Sequence, residues 1–314
     1  MTIVPPEPGE PRRPQGPRDP GDAWVVAESG QRYWGRFGAA GVLAFDVQRG
    51  VLLQHRVGWS HFGGTWGVPG GALHEGESAC DGALREAQEE AGIPDGALQV
   101  RFTSVLELGI WSYTTVIADV LEAFEPVISD PESLALEWVA VDEVDLRPLH
   151  PGFAAAWPQL RALLEVRPAI VVDAANVVGS VPDGWWRDRA GAAERLLERL
   201  STWVAGGVAS SELGLEATRW YPRVTMVVEG AARAMTDAGG RAGVTTDAGG
   251  TALGNVHIVR APAAGDDAIV AEAERLRDDG AQVFVVTSDR GLRDRVEQAG
   301  GVVRSAGWLL AQLR

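Results

Sequence analysis

The sequence has no lysine and only one cysteine, Cys80, among its 314 residues. Without lysine, every mechanism that depends on a lysine nucleophile or a lysine Schiff base is excluded. A single cysteine cannot form an intrachain disulfide, so a reduced, cytoplasmic setting is expected. No apolar run approaches the length that spans a bilayer, and the N-terminus lacks the apolar stretch of a secretory signal. We therefore expect no membrane partner.

Basic residues are outnumbered by acidic residues, so the formal net charge is −15 at pH 7. Such an acidic balance argues against a broad nucleic-acid-binding surface. The hydrophobic content of 46% is that of a globular protein. The length exceeds that of one ordinary core, so the sequence predicts two domains.

Three segments differ in pattern. Residues 1–22 are rich in proline, glycine and charge, which predicts a disordered tail. Residues 23–166 contain strand-like runs around one central helix and end in another helix, which predicts an α+β domain. In residues 167–314 apolar strands alternate with helices, which predicts an α/β domain with a parallel sheet.

The central helix of the first domain has clear start and stop signals. Ser78 is a good N-cap, and Asp81 stands three residues later, as the acid of a capping box does. Gly92 suits the residue after the last turn, and Pro94 prevents continuation. The pattern predicts a helix over 79–91.

Three acids are crowded near the end of this helix. Glu86, Glu89 and Glu90 have the spacing i, i+3 and i+4, so they should project from one face and repel one another. A divalent cation would remove that repulsion, and carboxylate oxygens favour Mg²⁺ or Mn²⁺. The alternative is an ordinary solvated acidic stripe, which is common on exposed helices.

The surrounding residues favour the metal site. The segment follows the pattern G-x5-E-x7-R-E-U-x-E-E-x-G-U, where U is a bulky aliphatic residue, and it resembles the Nudix box. Only Ala87 is smaller than the pattern prefers. The defined positions are Gly71, Glu77, Arg85, Glu86, Ala87, Glu89, Glu90, Gly92 and Ile93.

The resemblance implies a Nudix hydrolase, with an α/β/α sandwich and a mixed sheet. It implies that Glu86, Glu89 and Glu90 are metal ligands and catalytic groups, and that the backbone of Gly71 lies near the metal. It implies that Arg85 orients these carboxylates, and that Glu77 pairs with Arg85 and shapes the loop that meets the substrate. Some members of the family use a further glutamate from a loop ahead of a downstream tryptophan. Glu132 or Glu137, ahead of Trp138, could play that part, and the alternative is that either is merely an exposed residue.

The expected substrate is a nucleotide-derived small molecule, because the Nudix family hydrolyses nucleoside diphosphates linked to another group. Aromatic side chains near the box are candidates to stack on a base, and each is alternatively a core or groove-wall residue. They are Phe62 and Trp66, followed by Trp34, Trp59 and Trp111. Nothing in the sequence selects among nucleoside triphosphates, ADP-ribose, nucleotide sugars, dinucleotides and RNA 5′ ends.

In the second domain, acids fall where predicted strands end, and the ends of parallel strands share one edge of a sheet. Acids gathered there would suit a two-metal nuclease centre. The alternative is that each acid caps the following helix. The predicted catalytic or metal-binding residues are Asp173, Glu229, Asp266, Asp267 and Asp289, with Asn176 as a substrate-binding residue.

Together with Thr287-Ser288-Asp289, this set resembles the Rossmann-like PIN domains of the NYN kind, as in YacP-like proteins. Glu229 and Ala174 depart from that pattern. Relatives cut RNA, so the resemblance implies a metal-dependent ribonuclease with RNA as a partner.

The two domains together predict a pyrophosphohydrolase coupled to a ribonuclease, acting in RNA 5′-end processing or turnover. One rival is a nucleotide-pool cleaning enzyme whose second domain only docks or oligomerises. Another is a nucleotide-sensing, RNA-binding regulator. The sequence leaves a homo-oligomer open.

Overall fold

The computed structural model describes residues 1–6, 21–235 and 256–313. Its chain divides into two compact units, and each is taken by itself. The first unit comprises Met1–Leu164 and also Leu215–Arg219, while Glu165–Gly214 belongs to the second. The short return to the first unit departs from the continuous second domain expected over 167–314. Among the described residues, no helix is both long and apolar enough to cross a bilayer.

The first unit opens with a small antiparallel sheet in the order β1-β2-β3. Its strands are β1 (Thr2–Val4), β2 (Trp24–Val26) and β3 (Arg32–Trp34). The prediction of a disordered tail over 1–22 is therefore wrong for residues 2–4, because this β-branched run pairs with β2. The part of that prediction that concerns residues 7–20 lies outside the described residues.

The main sheet of this unit is mixed. β4 runs parallel to β9, whereas β5 pairs antiparallel with both β4 and β10, and β8 pairs antiparallel with β9. The strands lie in the order β10-β5-β4-β9-β8, with β6 on β5 and β7 on β4. They are β4 (Ala39–Asp46), β5 (Gly50–Arg56), β6 (Trp66–Gly67), β7 (Gly70–Ala72), β8 (Leu98–Glu107), β9 (Ser112–Val120) and β10 (Ser133–Val139).

Two helices accompany this sheet. α1 (Ala79–Ala91) packs on β4, β7 and β9, while α2 (Pro151–Leu163) follows a 3₁₀ turn at Val144–Leu146. α2 begins with Pro151, whose fixed φ suits the first helical turn, and it contributes the fully buried Trp157 and Leu160. The helix and strand predictions for this part of the chain are confirmed.

The second unit contains a parallel sheet in the order β15-β14-β11-β16-β17. β11 is the central strand, and all six of its residues are buried, as its apolar sequence predicts. The sheet strands are β11 (Pro168–Asp173), β14 (Arg223–Val228), β15 (Val256–Arg260), β16 (Gln282–Val286) and β17 (Val302–Arg304). The predicted parallel sheet is thus present.

Helices connect these strands. α6 (Gly265–Asp278) packs against β11, β14 and β16, and its apolar side chains Ile269, Ala273 and Leu276 join the core of the sheet. The other elements are α3 (Ala174–Gly179), α4 (Arg189–Ala205), α5 (Ser210–Leu213), α6 (Gly265–Asp278), α7 (Arg290–Gln298), α8 (Ala306–Gln312), two short strands β12 (Val208–Ala209) and β13 (Arg219–Trp220), and 3₁₀ turns at Trp185–Arg187 and Gly230–Ala234.

The turn between β4 and β5 supports a stability prediction. Gly50 has φ +89°, and a Cβ there would overlap the carbonyl group of Val139 on β10. Gly96 has φ +77° with open space around it. Left-handed backbone costs a residue with a side chain about 1–2 kcal/mol, so Gly96→Ala should lose about that much stability. Gly50→Ala should lose clearly more.

Urea unfolding of both variants measures the difference, which isolates the overlap with Val139 from the backbone strain that both share. An equal loss of stability in Gly50→Ala and Gly96→Ala would show that β10 yields freely at this position.

Candidate active site

Local signals place the end of α1 as the sequence predicts. Ser78 caps the helix by accepting a hydrogen bond from the backbone N–H of Asp81, and its hydroxyl donates to the Asp81 carboxylate. Gly92 ends the helix in the left-handed conformation, with φ 63°. The final turns therefore hold the acidic residues rigidly on an ordered backbone.

Arg85 is the centre of the charge network. Its Nε and Nη2 donate to the two carboxylate oxygens of Glu77 at 2.8 and 2.9 Å, and its Nη1 donates to Glu86 at 2.7 Å. Nη2 also reaches the carbonyl of Ala72 at 3.2 Å, and Nη1 lies 3.5 Å from Glu89. Burial alone would lower the pKa of Arg85, but its hydrogen bonds to Glu77 and Glu86 outweigh that effect and raise it. Its charge is permanent.

Glu77 fixes the loop before α1. It accepts the backbone N–H of His74 at 2.9 Å as well as the fork from Arg85. Burial raises the pKa of Glu77, but these hydrogen bonds lower it by a larger amount. The pKa of Glu77 therefore lies below the ordinary value. Glu77 thus stays ionised and supports Arg85. These contacts of Glu77 are structural, and its contact with substrate stays a prediction.

The three glutamates on α1 have different environments. Glu86 and Glu90 are buried, whereas the Glu89 side chain is 42% exposed. Gly71 lies so close to Glu86 that a Cβ on the glycine would stand 2.7 Å from the carboxylate carbon. A side chain at this position would displace that carboxylate, so the backbone of Gly71 lies beside Glu86.

Glu90 is held by neutral donors. The backbone N–H of Gly70 donates to Glu90 at 2.8 Å, and the Gln54 side chain donates to it at 3.2 Å. Gln54 also contacts Ser133, whose hydroxyl donates to Asp130 at 3.0 Å. Hydrogen bonds therefore join the last turn of α1 to strand β5 and to the segment that enters β10.

That segment brings two further acids to Glu90. One carboxylate oxygen from each of Glu90, Asp130 and Glu132 lies within 4.8 Å of the other two. The candidate glutamate ahead of Trp138 is therefore Glu132 rather than Glu137, which pairs with Arg147 at 2.8 Å. Sequence reasoning missed Asp130 and Gln54, although the run of acids at Asp130-Pro-Glu132 was a signal.

The electrostatics of this cluster suit a divalent cation. Burial, followed by the charges of Glu86, Asp130 and Glu132, holds the pKa of Glu90 well above its ordinary value. Oδ2 of Asp130 is buried and has no hydrogen-bond partner among the described residues. An oxygen-rich set with unsatisfied charge and an unpartnered acceptor fits Mg²⁺ or Mn²⁺, and Glu90, Asp130 and Glu132 would hold the ion.

The predicted base-stacking residues differ in availability. Trp66 is buried, and its ring already stacks on His55 at 4.7 Å and lies under the guanidinium of Arg147. Trp111 stacks on Tyr33, and Trp34 meets Trp24 edge to face. Phe62 and Trp59, at 46% and 45%, are the most exposed rings of this set.

The predicted acids of the second unit have mostly structural partners. Asp173 caps α3 and accepts from the Thr287 hydroxyl at 2.9 Å, while Asp289 caps α7. Glu229 accepts the N–H of Gly265 at 2.6 Å, and Asp267 pairs with Arg295 at 2.7 Å. The alternative of helix capping therefore holds for Asp173 and Asp289.

Some coupling between these acids remains. Burial, and then the charges of Asp266 and Glu229, raise the pKa of Asp173. Burial followed by the charge of Asp289 raises the pKa of Asp266. Asn176 turns toward the same edge and accepts the N–H of Ser288 at 2.8 Å. Within the described residues, however, no three of these acids bring oxygens within 4.8 Å of one another.

Comparison with known proteins identifies the class to which the first unit belongs. Residues 35–161 match the NUDIX domain. "Putative 8-oxo-dGTP diphosphatase 3" from Mycobacterium tuberculosis is 51% identical over 151 residues, which cover 45% of this chain and 69% of that protein. The chain belongs to the Nudix family.

Two solved structures show lesser likeness. A Nudix hydrolase from M. smegmatis, RenU, is 49% identical, covers 46% of this chain and 94% of its own, and has a TM-score of 0.42. Rae1 (YacP) from Bacillus subtilis is 19% identical, covers 46% of this chain and 74% of its own, and has a TM-score of 0.31. Likenesses of this size carry no argument about function, and the PIN/NYN assignment stays a prediction.

The raised pKa of Glu90 predicts how metal-free protein responds to pH. Because the folded-state pKa lies above the ordinary 4.5, the folded state binds the proton more tightly than the unfolded state does. Stability in EDTA should therefore fall as the pH rises above about 4.5 toward the folded-state pKa. Mg²⁺ at about 100 times its Kd should restore about 2.7 kcal/mol, with the larger effect at pH 8.

Thermal unfolding at pH 5 and pH 8, with EDTA or Mg²⁺, tests this response. Glu90→Gln should remove most of both dependences, whereas Glu75→Gln, at an exposed position in the preceding loop, should keep them. An unfolding temperature at pH 8 that ignores Mg²⁺ would contradict a cation site at Glu90.

Proposed function

We propose that the first unit is a divalent-metal-dependent hydrolase of a phosphoric anhydride bond in a nucleoside diphosphate derivative. The observation that carries this proposal is the gathering of Glu90, Asp130 and Glu132 within 4.8 Å, next to Glu86 and its partner Arg85. A solvated acidic stripe would have left Glu86 and Glu90 exposed, but both are buried. Buried like charges of this kind are costly unless a cation sits among them.

The residues have distinct roles in this proposal. Arg85 holds Glu86 in place and is itself fixed by Glu77. Its guanidinium therefore keeps the two carboxylates close together in a fixed geometry. Gln54 and Gly70 fix Glu90 in the same way. Glu89 is the exposed carboxylate, and we assign it to accept a proton from the attacking water. The bound cation would supply charge stabilisation on the phosphate oxygens.

The reaction is a hydrolysis. Water attacks a phosphorus atom of the anhydride, the bond to the bridging oxygen breaks, and the two products separate as phosphates. We propose 8-oxo-dGTP as the first substrate to test, because the M. tuberculosis relative carries that compound in its name. This corresponds to the nucleotide-pool cleaning rival that the sequence left open.

Glu89→Gln tests the catalytic role. It removes the proton acceptor but leaves the buried Glu86 and Glu90 in place, so 8-oxo-dGTP hydrolysis should fall by at least about a hundredfold while the protein stays folded. The measurement in Mg²⁺ is phosphate or pyrophosphate release from 8-oxo-dGTP and dGTP, and AMP formation from ADP-ribose. Glu75→Gln is the matched control and should turn over at the rate of the unsubstituted protein. Turnover that survives Glu89→Gln would remove Glu89 from the mechanism.

A second function concerns the second unit. We propose a metal-dependent ribonuclease site at the edge where Asp173, Glu229, Asp266 and Asp289 share an electrostatic field. The shared field supports this proposal, while the capping bonds of Asp173 and Asp289 explain the same residues without a metal. If both units act on one RNA, a substrate with a 5′-triphosphate would be trimmed and then cut.

Asp173→Asn tests this second site. It keeps the cap geometry but removes the charge, so Mg²⁺-dependent cleavage of single-stranded RNA should be abolished while 8-oxo-dGTP hydrolysis is unchanged. Asp294→Asn, at an exposed position of α7, is the control. RNA that stays intact with the unsubstituted protein in Mg²⁺ and in Mn²⁺ would leave only the docking role for this unit.

A further inference from the structure

A short 3₁₀ turn in the second unit carries the most exposed aromatic ring among the described residues. The turn is Trp185–Arg187, between α3 and α4. The side chain of Trp186 is 56% exposed, compared with 46% for Phe62 and 45% for Trp59. A single exposed ring is common on protein surfaces, so the case for a ligand depends on what surrounds Trp186.

The ring of Trp186 has an ordered support. The backbone N–H of Trp185 donates to Oδ1 of Asp183 at 3.1 Å, which fixes the start of the turn. The ring of Trp185 lies against the end of α3, because a Cβ added at Gly179 would be 3.8 Å from its Cζ2. Trp186 meets Trp185 edge to face, with ring centroids 6.1 Å apart and planes at 83°. This support leaves more than half of Trp186 in water.

Two guanidinium groups flank the rings. Cζ of Arg189 lies 5.4 Å from the ring centroid of Trp185, and the side chains of Arg187 and Arg189 are both exposed. Asp188 stands between them in sequence, but its Oδ1 accepts the backbone N–H of Gly191 at 2.9 Å as the cap of α4. The two arginines therefore add exposed positive charge beside an exposed ring, and guanidinium groups bind phosphate oxygens well.

Helix α3 links this turn to the strand-end acids. Asp173 caps the first turn of α3 by accepting the N–H of Asn176 at 3.0 Å, and Gly179 is the last of the six residues of this helix. A helix of that length spans about 9 Å. A strand of nucleic acid that is held at Trp186 can therefore continue along α3 to the edge of the sheet where Asp173 lies.

We propose that Trp186, Arg187 and Arg189 form a docking surface for single-stranded RNA. One base stacks on the exposed ring of Trp186, and the two arginines bind neighbouring phosphates. Aromatic rings beside cationic side chains are the combination with which proteins hold single strands without reading their sequence. The inference rests on the second proposed function, since it takes the ligand to be the RNA that this unit would cut, but binding itself needs neither metal nor cleavage.

Fluorescence anisotropy of a short, labelled, unpaired RNA in EDTA measures binding without cleavage. Trp186→Ala should weaken binding at least about fivefold, whereas Trp186→Phe keeps a ring and should retain most of the affinity. Arg187→Gln and Arg189→Gln should each weaken binding. Each should also reduce the slope of log K against log salt concentration by about 0.7, the value for one phosphate contact on a single strand. Trp186→Ala should leave that slope unchanged.

Arg195→Gln is the matched control for the arginine variants. It removes the same charge from an exposed position of the same helix, α4, six residues beyond Arg189, and it should bind RNA normally. The same RNA annealed to its complement should bind more weakly, because paired and stacked bases leave few free faces for Trp186.

Two outcomes separate this inference from the ribonuclease proposal. Absence of binding, affinity that Trp186→Ala leaves unchanged, or equal affinity for the duplex would overturn the docking surface, while RNA cleavage in Mg²⁺ by the same protein would preserve the ribonuclease proposal. RNA that binds and responds to Trp186→Ala, but stays uncut in Mg²⁺ and in Mn²⁺, would do the reverse.

Discussion

One guanidinium connects the parts of the first unit that must stay in register. Arg85 reaches the loop through Glu77, the helix through Glu86 and strand β7 through the carbonyl of Ala72. Each of these bonds is charge-assisted or partly buried, so together they limit how far the helix can move from the strand. Buried Glu86 would lose its charged partner on a helix that was free to shift.

Around this fixed point the unit combines two opposite electrostatic environments. The acids at Glu90, Asp130 and Glu132 repel one another, whereas burial and then the charge of Arg56 lower the pKa values of His61 and His150. Strand β5 contributes to both, because Gln54 contacts Glu90 and Arg56 stands two residues further on.

Local features of the site were predictable from the sequence. The caps Ser78 and Gly92 and the helix between them depend on contacts within a few residues, and the positions of Arg85 and Glu86 followed from the same spacing. The strands of both units also follow from short apolar runs. Such features need no knowledge of the rest of the chain.

Features that depend on distant partners were not predictable. Glu89 has the same residue type as Glu90, yet only Glu90 is buried, because Gly70 and Gln54 lie over it. Asp130 joins the site through the pairing of β10 with β5, which no local pattern reveals. In the second unit, the strand ends that the sequence identified do bring acids together, but the hydrogen bonds by which Asp173 and Asp289 cap α3 and α7 appear only in the structure. The strand at Thr2–Val4 was hidden by the composition of the residues after it.

The pairing of β10 with β5 also sets an order of events during synthesis. The register joins Ser133 to Arg56 and Val139 to Val51, so the sheet edge beside the site closes only after the ribosome has released about 80 further residues. Until then Glu90 lacks Asp130 and Glu132, and the nascent chain carries helix α1 without its acidic partners. Completion of the acidic cluster is thus a late, long-range step, and folding of this unit should be slow for its size.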